Sequence, residues 1–249
     1  YSRTADLEQS NITTAGYAVG SLFVVRTVGV NPANGQRIFL DKNGKEVQYN
    51  HVVPTGQSRW TYVADGSAAP AITLLNDGVI MGPTLPTYFG TWDNTFRAYG
   101  FDLNFRIQYS GGNYIYNGSK AGLRDMRVWN NHTDVLKRWQ KPGDITNIPK
   151  VVWTDNISNG SGLQISENVE KGDFVRLRDI TLGYTIPLNN PNISSARVYF
   201  NVNNALLFTK YSGTDLEVST NGNTPQTPGI DRNTAPMAKS FTFGVNLQF

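Results

Sequence analysis

Asp173 and Asp179 share the run GDFVRLRD with Arg176 and Arg178, and two carboxylates brought together by folding could do acid–base work. A glycosidase needs two carboxyl groups about 5–9.5 Å apart across a groove, a geometry that sequence spacing alone does not supply. The favoured reading of Arg176, Arg178 and Asp179 is a charge cluster on a lumen-facing or rim surface. Trp129, Trp139 and Trp153 lie among Asn, Asp and Lys between residues 118 and 160. An aromatic face with polar neighbours commonly grips a sugar or peptide; the competing reading is that the rings pack loops together. In DKNGKE, Asp41 and Asn43 fit the first and third positions of a calcium loop, but Lys45 cannot supply the fifth oxygen, so the segment reads as a turn. His51 and His132 are the two histidines and cysteine is absent, which removes histidine-rich metal centres, thiolate sites, disulfides and cysteine nucleophiles. No nucleotide-binding glycine pattern precedes a helix signal, and neither GxSxG nor HExxH occurs. No catalytic residue, metal or cofactor is expected, and the chain does not read as an enzyme.

Composition points away from an ordinary soluble domain. Charged residues make up 16% of the 249, against roughly 25% in soluble globular domains. The net charge is +3 and the 22 Lys and Arg are scattered, so nucleic acid is not an expected partner. No window holds the 18 or so apolar residues of a spanning helix. Soluble protein or β-barrel remains, because lipid tolerates only structures with every backbone group paired. The opening YSRTADLEQSNITTAG has no charged n-region or apolar h-region, so the chain is expected to begin after processing or partway through a longer protein, the second being the favoured reading.

The elements that would position these residues are strands. In SFTFGVNLQF, Phe241, Phe243, Val245, Leu247 and Phe249 share one face, opposite Ser240, Thr242, Gly244, Asn246 and Gln248. FDLNFRIQY repeats the pattern with Phe101, Leu103, Phe105, Ile107 and Tyr109. ARVYFNVN and ITLGYTI repeat it again. In TYFGTWDNTFRAY, Trp92, Phe96 and Ala98 share a face with Asn94. Val175 and Leu177 carry the apolar phase on odd numbers, whereas Ile180 onward carries it on even ones. Either one extra residue near Asp179 forms a bulge, or Val175 and Leu177 lie beyond a membrane. A strand of about ten residues rises roughly 33 Å and, tilted by about 45°, covers an apolar band of about 25 Å.

Connections alternate in length. Tyr99 and Gly100 form a very short turn, and PLNNPNI from Pro187 is rich in turn formers. The intervals at about 110–172 and 209–238 are long. Short turns on one side and long loops on the other are the outer-membrane pattern, and they gather Tyr99, Phe101, Tyr184 and Phe249 at the short-turn end as an aromatic girdle. Before residue 86 the order is looser. SLFVVRTVGV at 21–30 reads as a strand whose edge must pair with strands outside the chain, and 41–85 reads mostly as loop.

These segments also carry a family resemblance. YFGTWDNTFRAYGFDLNFRIQYSGGNYIYN (88–117), VLKRWQKPGD (135–144), GDFVRLRDITLGYTIP (172–187), RVYFNVNNALLFTKYSGTDLEVS (197–219) and the ending from Gly229 resemble the C-terminal quarter of the SusC/RagA-like TonB-dependent transporters of Bacteroidota. VGSLFVVRTVGVNPANGQRIFLDKNGK (19–45) is a weaker match. The resemblance implies an all-β fold, the C-terminal portion of a transmembrane antiparallel barrel of 22 strands, with about the last five strands here. It assigns 1–86 to strand-like segments and an extracellular loop region, and 87–249 to the last strands and their long extracellular loops. The N-terminal plug would lie in the remaining part of the transporter.

The implied function is energised import of a glycan or peptide across the bacterial outer membrane, a multi-pass setting in contact with lipid. The implied partners are a SusD-like surface lipoprotein and, through the plug, the TonB complex. Under that resemblance Trp129, Trp139 and Trp153 would touch cargo or the covering lipoprotein. Tyr211 and Asp215 in KYSGTDLE would shape a turn, and Phe249 would serve packing or barrel assembly. The alternative is a soluble β-sandwich module that binds carbohydrate, which accounts for the alternation and the tryptophans but not for the unequal loops.

Overall fold

A computed structural model describes residues 2–3, 10–127, 129–189, 192–217, 219–220 and 227–249. The chain divides into two units. One contains Pro86–Asn113, Lys171–Leu216 and Ala235–Phe249; the other contains Tyr1–Leu85, Tyr114–Glu170 and Glu217–Thr234.

The first unit is a five-stranded antiparallel sheet. Its strands are β1 (Tyr88–Ala98), β2 (Phe101–Gly111), β3 (Phe174–Ile186), β4 (Ser195–Thr209) and β5 (Ser240–Gln248), each beside the next in chain order. Period-2 alternation over nine or more residues sets their register, because a one-residue slip would turn every apolar side chain to the polar face. Phe101 pairs with Ala98 and Leu103 with Phe96, closing the β1–β2 hairpin on Tyr99 and Gly100. Both turn residues have positive φ, 51° and 81°, as a type I′ turn requires. Gly at the second position meets this freely, while Tyr99 pays a steric cost and projects 98% exposed.

The change of phase in β3 is a bulge. On the β2 side Arg106 pairs with Asp179 and Ile107 with Leu177, so Arg178 is the extra residue. On the β4 side Leu177 pairs with Leu206 and Asp179 with Asn203. The inserted residue keeps Val175 and Leu177 on the same face as Ile180 and Leu182.

Links between strands are unequal, as the turn chemistry predicts. Two residues join β1 to β2 and residues 187–194 join β3 to β4, whereas 112–173 and 210–239 separate the other pairs. Asn190 and Pro191 of the PLNNPNI turn, and 221–226 of the second long interval, lie outside the described residues.

The second unit is built from short pieces. One four-stranded sheet contains Ser2–Arg3, Asn11–Thr13, Ser21–Val25 and Gly78–Gly82. Another contains Thr27–Val30, Arg37–Leu40, Glu46–Tyr49 and Trp60–Tyr62, and Tyr114–Asn117 pairs in parallel with Ile230–Asp231. The run SLFVVRTVGV is therefore not one strand. It divides at Arg26, and Ser21–Val25 pairs on both sides, with Asn11–Thr13 and Gly78–Gly82, so it presents no open edge. Burial on both faces explains its apolar run: Val25 joins the cluster of Phe39, Val47, Tyr49, Trp60, Ile72 and Ile165, whereas Leu22 and Val24 join Tyr116 and Ile230. The Trp60 ring meets Tyr49 at 4.8 Å and Phe39 edge-on at 5.6 Å. Strands of three to five residues rise only about 10–17 Å, too little to cross an apolar band of about 25 Å.

Candidate functional site: a two-faced sheet and a loop cavity

The sheet has two chemically opposite faces. On one, Phe241, Phe243, Val245 and Leu247 of β5 are 66%, 71%, 53% and 53% exposed. Register continues this face across the strands, since Phe243 pairs with Phe200, Phe200 with Leu182, Leu182 with Leu103 and Leu103 with Phe96. Phe200 stacks on Phe241 at 6.3 Å, and Trp92 and Phe96 both flank Phe105. At the short-turn end Phe101 and Tyr184 meet at 4.6 Å, with Tyr99 and Phe249 exposed at the same end. A contiguous apolar face of this size normally marks a surface meant to be covered.

The other face is a polar lattice. Arg197 donates two hydrogen bonds to Asp102, at 2.8 and 2.5 Å. Gly183 makes that reach possible, because a Cβ there would collide with the Arg197 guanidinium. Arg106 donates to Asp93 at 2.6 Å, and Asn201 donates to both Asp179 and Thr181 at 2.8 Å. Arg178, freed from the ladder by the bulge, donates to Gln108 at 2.9 Å and to Asn204 at 3.0 Å. Arg176 is 3% exposed and donates to Asp215 at 2.7 Å, whose other oxygen accepts from the Met237 N–H at 3.0 Å. Asp215 thus ties both flanks of the 210–239 segment to the sheet. Asp173 accepts from the Gly112 N–H at 2.7 Å and the Tyr88 hydroxyl at 3.2 Å. Asp173 and Asp179 thus have separate structural partners, and Arg176, Arg178 and Asp179 are members of one hydrogen-bonded surface.

The loop tryptophans part company. Trp139 donates its indole N–H to the Pro32 carbonyl at 2.9 Å and lies so close over Gly35, at φ 74°, that a Cβ would strike the ring. It is a loop anchor. Trp153 is 68% exposed and outside the cavity lining. Trp129 is 63% exposed and lines a cavity of about 740 Å³.

Two short helices frame that cavity. Gly118–Leu123 starts where the Asn117 side-chain Oδ1 accepts from the Lys120 N–H at 2.8 Å, and Asn156–Asn159 starts where the Asp155 carboxylate accepts from the Ser158 N–H at 2.7 Å. Between them Asp125, 2% exposed, holds Arg127 through three hydrogen bonds of 2.6–2.9 Å. Burial pushes the Asp125 carboxyl up, but the Arg127 hydrogen bonds outweigh it and leave the group below the ordinary carboxylate value. Burial pushes the Tyr116 phenol at the cavity wall up to about 12. Behind the wall Glu167 accepts from both Arg37 and Arg124, and Arg124 also pairs with Asp134 at 2.6 Å. The sequence reading missed this pairing.

At the calcium-like turn, Asp41 Oδ1 accepts from the backbone of Asn43 and Lys45, both at 2.8 Å. The carboxylate closes its own turn. Among the described residues no group of three or more His, Cys, Asp or Glu is gathered for a metal.

No family model matches the chain. Among curated relatives, TonB-dependent receptor P39 of Formosa agariphila is 32% identical over 186 residues, 72% of this chain and 18% of the relative. TonB-dependent receptor SusC of Bacteroides thetaiotaomicron is 25% identical over 242 residues, 94% of this chain and 20% of the relative. The chain belongs to the SusC/RagA-like TonB-dependent transporters. It spans about a fifth of the length of the curated relatives it matches. A solved structure of the RagAB peptide importer in its closed-closed state superposes over all of the SusC/RagA-like chain and 25% of its own, with TM-score 0.71 and 20% identity. The open-open state gives a TM-score of 0.68 over 96% of the chain. The five-strand sheet is a C-terminal portion of a β-barrel wall. The named relatives are receptors and importers.

Proposed function

We propose that this chain supplies the last five wall strands and the extracellular loops of an outer-membrane importer that works with a SusD-like lipoprotein. The observation that carries the reading is the unequal covering of the sheet. Five adjacent strands expose Phe, Leu, Val and Trp on one side and bond Arg, Asp and Asn into a lattice on the other. Lipid covers the first face; a polar lumen faces the second. Among the described residues β1 and β5 each pair on one side only, and an unpaired strand edge cannot persist in hydrocarbon, so both edges join further strands of one barrel. Phe249 then closes the apolar face at the periplasmic interface, and the region 1–86 and the long loops at about 110–172 and 209–238 are extracellular. The plug and its coupling to TonB belong to the rest of the transporter.

A soluble β-sandwich would bury Phe241, Phe243, Val245 and Leu247 in a core, and their exposure speaks for the barrel. The test uses the complete transporter, whose C-terminal part carries no native cysteine to interfere. Spin labels at Phe243→Cys and Asn246→Cys, read in a bilayer, are expected to report lipid-dissolved oxygen at 243 and a water-soluble relaxant at 246. Equal access of the water-soluble relaxant to both would overturn the reading.

A further inference from the structure

At its long-loop end the apolar face of the sheet stops being uniformly apolar. Register sets Gly90 beside Tyr109, Tyr109 beside Val175 and Val175 beside Phe208, a row across β1–β4. Just beyond that row stand two lysines, Lys210 after β4 and Lys171 ahead of β3. With Tyr88, Tyr109, Val175 and Phe208 they line a trough of about 630 Å³, and all of these residues belong to the five-stranded unit. We infer that the trough binds the anionic, phosphate-bearing headgroup of an outer-leaflet lipid, with both ammonium groups on the phosphate and Val175 and Phe208 against the acyl chains. The inference rests on the proposed barrel reading, which puts the long-loop end of the sheet at the outer leaflet.

Three observations carry it. First, glycine shapes the trough. A Cβ at Gly90 would strike the Tyr109 ring, and one at Gly111 would strike the Tyr88 ring and the Asp173 carboxylate. Each tyrosine therefore lies across the neighbouring strand instead of standing up from the sheet. Laid down, the rings floor a depression that upright side chains would fill. Tyrosine at this depth suits the headgroup boundary, with its ring on apolar surface and its hydroxyl toward water.

Second, the charge at this edge is unbalanced. Asp173 also lines the trough, but it already accepts from the Gly112 N–H at 2.7 Å and the Tyr88 hydroxyl at 3.2 Å. Among the described residues neither Lys171 nor Lys210 forms an ion pair. Two cations thus face one carboxylate that is already hydrogen-bonded. A lysine at the rim of a bilayer lays its stem along apolar surface and carries its charge out to water or to an anion. A lipid phosphate meets both ammonium groups, and its tails cover the apolar floor that a free anion would leave bare.

Third, the positive charge is confined to one end. Lys171, Lys210 and Lys239 stand three, one and one residues from the long-loop ends of β3, β4 and β5. The short links, Tyr99–Gly100 and 187–194, contain no Lys or Arg. Arg97 and Arg197 near that end belong to the polar face, where both neighbour Asp102. Strand ends that needed only solubility would be charged alike. Cations at one end alone match a bilayer whose two leaflets differ in headgroup charge.

The test takes the complete transporter, purified in detergent and stripped of lipid, and measures by native mass spectrometry its tightest site for added lipid. The probes are monophosphoryl lipid A, zwitterionic phosphatidylcholine, and inorganic phosphate as a competitor. Monophosphoryl lipid A is expected to bind at least tenfold more tightly than phosphatidylcholine. Lys171→Gln with Lys210→Gln should abolish that preference, and Lys171→Arg with Lys210→Arg should keep it. Phe208→Ala should weaken lipid A binding severalfold. Lys137→Gln with Lys141→Gln, which removes the same charge from exposed loop positions, should change nothing. Equal binding of the two lipids, a preference that survives the glutamine pair, or a preference lost equally with the loop lysines would overturn the site. So would displacement of lipid A by millimolar phosphate with no effect of Phe208→Ala, since the trough would then take a free anion. The spin-label pattern at 243 and 246 stands through each of those results, so the barrel reading and the lipid site fail separately.

Discussion

The two units solve the problem of apolar residues in opposite ways. In the short-stranded unit, Leu22, Val24, Val25, Phe39 and Val47 are fully buried. In the five-stranded unit, Phe241, Phe243, Val245, Phe200 and Leu182 stand 45–71% exposed, although they obey a stricter pattern. A unit meant for water hides its apolar groups from solvent; a wall meant for lipid hides its backbone and leaves its apolar groups outside. Strand length follows the same division. A core needs only enough strand to fill itself, whereas a wall must match the thickness of the bilayer.

The contrast can be broken or sharpened by substitution in the complete transporter. The largest effect is expected in the buried unit, where Phe39→Ala should cost about 3–5 kcal/mol by cavity formation. Denaturation of the purified protein, followed by intrinsic fluorescence, measures it. A loss below 1 kcal/mol would mean that the core is not the support described. A comparable loss, about 3–5 kcal/mol, is expected for Arg176→Ala, which leaves Asp215 buried without its cation. The double change Arg176→Met with Asp215→Leu should recover most of it, and failure to recover would assign the effect to packing.

Third comes the face test proper. Phe243→Arg should cost about 2–4 kcal/mol in a bilayer, and its neighbour Thr242→Arg should cost well under half as much. Equal costs would erase the distinction between faces.

Acid titration is expected to act through Asp125. Its folded carboxyl lies below the ordinary value, chiefly because Arg127 hydrogen bonds outweigh its burial, so its stabilisation is present above the unfolded value near pH 3.9 and fades as pH falls toward the folded one. Asp125→Asn should flatten the acid limb below about pH 4 in that unit. An unchanged limb would show that the pair contributes nothing. The smallest effect belongs to Arg106 and Asp93, both more than half exposed: Asp93→Asn should leave the denaturation midpoint almost unchanged, and any shift should shrink in salt.

How much of this was legible depends on how local the signal is. The five strands and the two-residue turn at Tyr99 follow from side-chain alternation, which needs only neighbours along the chain; alternation also marked a change of phase near Asp179, and the register of the sheet resolved it as a bulge at Arg178. The division of SLFVVRTVGV did not follow, because a run buried on both faces looks the same whether it is one long strand or two short ones. Trp129, Trp139 and Trp153 were equivalent in sequence. What separated them was partners distant along the chain, Pro32 and Gly35 for Trp139 and the walls of the cavity for Trp129. The link between Arg176 and Asp215 spans 39 residues, across β4 and into the loop that follows it, and the strand alternation ends before Asp215.

By itself, then, the order of residues determined which side chains share a face, where the chain reverses, and that the apolar phase of β3 changes near Asp179. Those are consequences of a two-residue repeat and of which residues tolerate positive φ. Only the tertiary structure decided which apolar face is buried and which is bare, and which tryptophan opens onto a cavity. Burial and concavity are made by segments far apart in the chain, and no local pattern records who those neighbours will be.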